Sequence, residues 1–230
     1  MVLGGSQARP YMGIFRVNNA VEFSGFLRYY INMEKAKDSA RKELKRKRNR
    51  LSKAFINRAS IDIFKVFKQE FAPGLKKSHK IMVYMSTQSE VKTRGIITYL
   101  LRKNHKLYVP AVMDGKIVPV RLLKNSKIHK GPYKIPEPVK KQKLNPPSSL
   151  NMIIVPGIGF DLKGNRLGFG GGFFDAFLKK AGKKPLKIAL AFSKQIKDKI
   201  PAGRNDIKMD YIITEKEILK TSRPSVKKRR

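Results

Sequence analysis

The hydrophobic positions fall into short blocks of two periods. After Ser52, a good N-cap residue, Phe55, Ala59, Ile63, Val66, Phe67 and Phe71 recur at helical spacing until Pro73-Gly74 ends the pattern. Residues 80–85 form a short apolar run that reads as a strand. Thr87 and Glu90 then have the spacing of a capping box for a helix over about residues 91–103. Residues 106–110 and 117–123 read as two further strands around a turn at Asp114-Gly115. Residues 124–148 are rich in proline and lysine and read as a long loop, either functional or mobile. A buried strand is expected at 152–155, a helix at about 173–181, and strands at 186–192 and 211–214. Strands alternating with helices predict an α/β fold, with a mostly parallel sheet flanked by helices on both faces.

The two ends of the chain read differently. Residues 1–33 contain one acidic residue, Glu22, with Arg9, Arg16 and Arg28, and Phe23, Phe26, Leu27, Tyr30 and Ile31 suit a short amphipathic helix. An organelle transit peptide and an extension upstream of a start at Met33 both fit this stretch. Residues 35–51 predict a basic helix. Its thin apolar stripe is Ala36, Ala40, Leu44 and Leu51, and Lys37, Arg41, Lys45 and Arg48 share another face. Residues 34–218 are expected to form one domain, and 219–230 a basic disordered tail.

Composition narrows the function. The 230 residues suffice for a sizeable core. The absence of cysteine excludes disulfides and thiolate metal sites. No apolar run approaches the ~20 residues of a membrane span. His79, His105 and His129 lack metal-ligand spacing, and no Gly-x-Ser-x-Gly elbow occurs. Lys and Arg total 52 against 16 Asp and Glu, a net charge of +36. Such a field attracts nucleic acid and other anions. It suits either an enzyme of anionic ligands or a nonspecific nucleic-acid binder.

The chemistry concentrates between Val155 and Asp175. There an apolar strand leads through the turn at Asp161–Gly164 to Arg166 and to Gly168, Phe169, Gly170, Gly171 and Gly172. A helix pattern then starts with Phe173, Phe174 and Asp175. Strand, glycine-rich loop and helix N-terminus make an anion site, since glycines let backbone N–H groups approach a phosphate. The loop matches neither a Walker A sequence nor a dinucleotide fingerprint. Asp175, Asp206 and Asp210 are candidate Mg²⁺ ligands, with a local turn and a strand-end cap as the structural alternatives for the last two.

This stretch closely resembles the signature of the 5-formyltetrahydrofolate cyclo-ligase family: Pro-Gly-x-x-Phe-Asp, then Gly-x-Arg-Leu-Gly-x-Gly-x-Gly-Tyr-Tyr-Asp. The resemblance extends over about residues 35–217. It takes in the basic helix ending at Leu51-Ser52, the segment 84–90, Tyr108-Val-Pro, Ile135-Pro-Glu-Pro, and the runs 189–192 and 205–210. It implies a Rossmann-like three-layer sandwich and the ATP-dependent conversion of 5-formyltetrahydrofolate to 5,10-methenyltetrahydrofolate. It implies that Lys37, Arg41, Arg166 and residues 168–175 hold ATP, with Arg166 catalytic. Asp175 and Asp206 would hold Mg²⁺, and Met85, Glu90 and Tyr133 would meet the folate. A cytoplasmic monomer is expected, with an organelle as the alternative if residues 1–33 are a transit peptide. The basic surface would suit a polyglutamylated substrate. The chain departs from the pattern at Phe173-Phe174, which stand where the family has a tyrosine pair and so lack both hydroxyls.

Overall fold

A computed structural model describes residues 20–87, 89–132, 135–203 and 206–221. In chain order the elements are α1 (Ala20–Asn49), α2 (Lys53–Val66), β1 (Lys80–Val83), α3 (Arg94–Arg102), β2 (Lys106–Met113), β3 (Lys116–Arg121), β4 (Ile128–Lys130) and β5 (Pro136–Pro138). Then follow β6 (Met152–Val155), β7 (Gly159–Asp161), β8 (Arg166–Leu167), α4 (Phe173–Ala181), β9 (Leu186–Leu190), β10 (Ile196–Lys197), β11 (Tyr211–Ile213) and β12 (Ile218–Lys220).

The main sheet has seven strands in the order β12-β11-β9-β6-β1-β2-β3. The inner pairs from β11 to β2 are parallel, and both edge strands run antiparallel to their neighbours. Buried central strands lose the alternation of half-exposed ones, and β6 is apolar and buried at every position. Alternate residues nevertheless reach different layers. Ile81, Val83, Met152 and Ile154 pack with Ile56, Ile63, Ile96 and Leu100 of α2 and α3. Met82, Ile153 and Val155 pack with Phe177, Leu178 and Ala181 of α4. The expected α/β sheet with helices on both faces is therefore present.

Several elements differ from the pattern-based reading. The amphipathic and basic helical segments expected on either side of Met33 are one continuous helix. Helix α2 continues into a π-helical turn, Phe67–Phe71, before the Pro73-Gly74 stop, and Ser52 caps it by accepting from the Phe55 N–H. Helix α3 begins at Arg94, three residues later than the Thr87–Glu90 spacing suggests. The reason is local. The Tyr84 hydroxyl donates to the Val91 carbonyl, the Lys92 N–H donates to Ser60 Oγ, and the Thr93 hydroxyl donates to the Tyr84 carbonyl, so these groups hold residues 91–93 out of the helix.

The long loop at 124–148 contains the β4–β5 ladder. It is pinned by Glu137, a fully buried carboxylate that accepts from the Val112 N–H at 2.9 Å and from Lys141 Nζ at 3.1 Å. Strand β12 closes the sheet edge where a disordered tail was expected to begin, because β11 supplies the paired edge. The rest of that tail, residues 222–230, lies outside the described residues, as do Tyr133 and residues 1–19.

Candidate functional site at the switch of the sheet

The chain leaves β1 toward β2 on one side of the sheet and leaves β6 toward β9 on the other. Between the carboxyl ends of β1 and β6 the winding therefore reverses, and open α/β sheets form a ligand crevice at such a point. Segment 84–90 emerges from β1 there, and the glycine-rich stretch emerges from β6. These are the two regions in which the sequence concentrates candidate chemistry.

The glycine stretch is framed by a small sheet in the order β10-β7-β8. Asp161, fully buried, holds the turn inside it. Its carboxylate accepts from the backbone N–H groups of Lys163, Asn165 and Ile200 and from the Asn165 amide. This turn presents Arg166, which is 5% exposed. The Arg166 guanidinium donates to Asp175 Oδ1 at 2.5 Å and to the Pro156 carbonyl at 3.2 Å, and its Cζ lies 5.8 Å from the centre of the Phe174 ring. Its Nε is buried with no partner among the described residues. Gly170 and Gly172 have φ of +103° and +68°, and Gly172 opens helix α4. The loop thus turns through backbone conformations that side chains resist and brings its backbone to a helix start, where N–H groups lack intrahelical partners.

Helix α1 lies across this loop. Lys37, Leu44 and Arg48 are buried, while Ala36 and Lys45 point to solvent. Of the expected stripe, Ala40, Leu44 and Leu51 pack inward and Ala36 does not, and the cations Lys37, Arg41 and Arg48 turn to the protein with them. The reason is that the crevice offers carboxylates and carbonyl oxygens. Lys37 Nζ donates to Asp206 Oδ2 at 2.9 Å, and Arg41 Nε donates to the Gly168 carbonyl at 3.2 Å. Leu44 fits against Gly159, where a Cβ would come within 2.3 Å of Leu44 Cδ1. Asp206 Oδ2 also accepts from the Gly203 N–H, closing a local turn.

On the β1 side, Glu90 is 8% exposed. Its Oε2 accepts from the Thr87 N–H at 2.7 Å and the Thr87 hydroxyl at 2.8 Å. It closes the 87–90 turn without starting a helix. Tyr84 beneath it is buried, and burial followed by the negative field of Glu90 pushes its phenol well above the usual value. Met85 packs half-buried against the core.

The structure thus brings Lys37, Arg41, Arg166, residues 168–175 and Asp206 to one crevice with Glu90. Asp210 is structural: its carboxylate accepts from the Lys187 N–H at 2.7 Å, as the strand-end alternative supposed. Arg48, noted in the sequence only as a member of a basic face, is 4% exposed and belongs to this site. It stands 5.4 Å from the Phe169 ring centre and donates to the Gly157 carbonyl. A charged residue on a helical row with buried Leu44 is the signal that could have revealed it.

Comparison with known proteins places this geometry. The model of the 5-formyltetrahydrofolate cyclo-ligase family matches residues 33–215. Mouse 5-formyltetrahydrofolate cyclo-ligase is 33% identical over 153 residues, 61% of this chain and 75% of that one. A mitochondrial 5-formyltetrahydrofolate cyclo-ligase of Arabidopsis thaliana is 33% identical over 171 residues, 62% of this chain and 61% of that one. The NMR structure of Aquifex aeolicus 5,10-methenyltetrahydrofolate synthetase superposes with a TM-score of 0.72 at 33% identity, covering 81% of this chain and 93% of that one. The family match spans the sheet other than β12, the glycine loop and the part of α1 that crosses it, and the chain belongs to the 5-formyltetrahydrofolate cyclo-ligase family, a family of enzymes.

Proposed function

We propose that the protein converts 5-formyltetrahydrofolate to 5,10-methenyltetrahydrofolate at the expense of ATP, at the crevice between β1 and β6. The observation that carries this reading is helix α1 laid over the glycine loop. Arg41 on Gly168, Lys37 on Asp206 and Arg166 on Asp175 gather cations, loop N–H groups and two carboxylates in one place. That arrangement suits phosphoryl transfer, where catalysis is mainly positioning and charge neutralisation.

The formyl oxygen of the substrate is a poor leaving group. It takes the terminal phosphoryl group of ATP, and ADP departs. The N10 lone pair then attacks the formyl carbon, N10 loses its proton, and phosphate leaves with the C–O electron pair. Lys37, Arg41 and the loop N–H groups from Gly168 to Gly172 hold the phosphates. Phe169, Phe173 and Phe174 shape the pocket around them. Arg166 neutralises charge on the moving group and is the catalytic residue of this reading. Met85, Glu90 and Tyr133 meet the folate.

Asp175 and Asp206 fit a Mg²⁺ ion. Each keeps one carboxylate oxygen outside any hydrogen bond among the described residues, and Mg²⁺ commonly takes one or two carboxylates together with phosphate oxygens. When bound, the ion would supply charge neutralisation on the phosphates. We place the enzyme in the cytoplasm as a monomer, or in an organelle if residues 1–33 direct it there. No helix among the described residues is long and apolar enough to cross a membrane.

The test is absorbance at the methenyl product's band with 5-formyltetrahydrofolate and Mg²⁺, with and without ATP. An ATP-dependent rise that Asp175→Ala abolishes is expected. A folded protein that neither makes product nor binds ATP would overturn the reading. It would favour nonspecific nucleic-acid binding through the +36 surface.

A further inference from the structure

Arg48 is a buried cation without a counter-ion among the described residues. Its guanidinium offers five N–H donors, yet among the described residues its single hydrogen bond is from Nη1 to the Gly157 carbonyl at 3.4 Å, near the limit for such a bond. Its Nε is buried with no acceptor, and no carboxylate comes within ion-pair distance among the described residues. Burial lowers its pKa, while the field of Glu90 acts the other way. A buried charge with unused donors is expensive, and a leucine or methionine would fill the same space at no such cost. The Phe169 ring faces the guanidinium as a cation–π partner but is no counter-ion, and that residue is 49% exposed.

The position of Arg48 says what the charge serves. Gly157 follows β6, Phe169 belongs to the glycine loop, and Glu90 follows β1. Arg48 therefore stands where the loop side of the crevice meets the 84–90 side. If the loop side holds the phosphates and the Glu90 side the folate, the phosphoryl group and the oxygen that accepts it meet between them. We propose that Arg48 is a substrate-contacting catalytic residue that donates to the former formyl oxygen, now bridging carbon and phosphorus, as phosphate leaves with the C–O electron pair. Its unused donors then find their acceptor only in the loaded site, and the charge developing on that oxygen is met by a fixed cation. This inference rests on the proposed reaction, and it adds to Arg166 a second arginine with a different role. Arg166 is tied to Asp175 and Pro156, whereas Arg48 has no carboxylate partner among the described residues.

The experiment compares the wild-type chain with Arg48→Leu and Arg48→Lys. Three quantities are read: kcat with both substrates saturating, affinity for a non-hydrolysable ATP analogue, and the melting temperature of the ligand-free protein. Arg48→Leu should lower kcat about 10²–10³-fold, the range for losing one preorganised donor to a developing charge. It should leave analogue affinity within about threefold, and it should melt at the wild-type temperature or above, because a buried unpaired charge is gone. Arg48→Lys keeps the charge without the planar fork and should fall between the two. Wild-type kcat in Arg48→Leu, with the wild type active, overturns the inference alone. A kcat loss matched by a lower melting temperature and weaker analogue binding overturns it in favour of a structural role. If Arg48→Leu does not fold, Arg48→Lys decides, and wild-type kcat there overturns the proposal. Absence of product from the wild type overturns the proposed reaction, and this inference with it.

Discussion

At Glu90 a single oxygen accepts from both the N–H and the hydroxyl of Thr87. A glutamine keeps an acceptor oxygen for both donors and removes only the charge, so Glu90→Gln separates the turn from the ligand. It should leave the melting temperature within about a degree, since a neutral acceptor costs little here. It should raise the KM for 5-formyltetrahydrofolate about tenfold or more, with a smaller change in the KM for ATP. Steady-state kinetics beside a thermal melt decide this, and a lowered melt with unchanged KM would make Glu90 only the lock of its turn. The capping-box spacing was legible in the sequence, and one half of the box forms, the Thr87 N–H donating to the Glu90 carboxylate. That it closes a free-standing turn depended on Ser60 and Tyr84, residues 30 and 6 positions away in the chain, taking the backbone groups that a helix needs.

Helix α1 and the glycine loop are the two elements that build the site, and each carries a prediction. Glu43 fastens α1 to β10 through Lys197 Nζ at 2.5 Å and also meets Lys47 at 2.9 Å. Hydrogen bonds from Lys197, then Lys47, hold its carboxyl down from 4.5 to about 2. A depressed folded-state pKa adds stability that is complete above the unfolded value and is lost as pH falls through the folded one. Glu43→Gln should therefore destabilise at neutral pH and flatten the loss of stability between about 4.5 and about 2. Denaturant melts across that window measure it, and parallel pH profiles for the two proteins would refute it. The effect should shrink with salt, because the pair is partly exposed.

In the loop, a Cβ at Gly172 would meet no atom within 4 Å, but its φ is +68°. Gly172→Ala should thus cost about 1–2 kcal/mol from backbone strain alone. It should also impair ATP-dependent turnover, because the loop and the first turn of α4 share that residue. A urea melt and an ATP titration check both parts. The glycine spacing was legible because only glycine adopts such angles freely. The inward turn of the cationic row of α1 was not, because a like-charged helical row normally faces water.

Over the whole molecule, the net charge of +36 exceeds what one nucleotide requires. An anionic tail on the substrate would be drawn by that field from any direction. A polyglutamylated substrate should therefore show a lower KM than the monoglutamate at low ionic strength, and added salt should narrow the gap. Bound RNA should wash off with salt without loss of turnover, and its persistence alongside lost activity would favour the nucleic-acid reading. Steady-state kinetics at several salt concentrations, with absorbance of the purified protein, test both.

The linear chain specifies the strands of the main sheet other than β12, the parallel winding, and the loop on which the site is built. Those features follow from local period, glycine conformational freedom and residue order, which a sequence states directly. Only folding settles that the crevice lies between β1 and β6, and that α1 turns its cations inward to reach Gly168, Gly157 and Asp206. Only folding makes Glu137 and Asp161 buried locks within loops, and leaves Arg48 without a counter-ion among the described residues. Each of these depends on which groups meet across long stretches of chain, and on whether a charge finds water or a partner when it arrives. That outcome is set by the packing of the whole sheet and is not written in the spacing of any one segment.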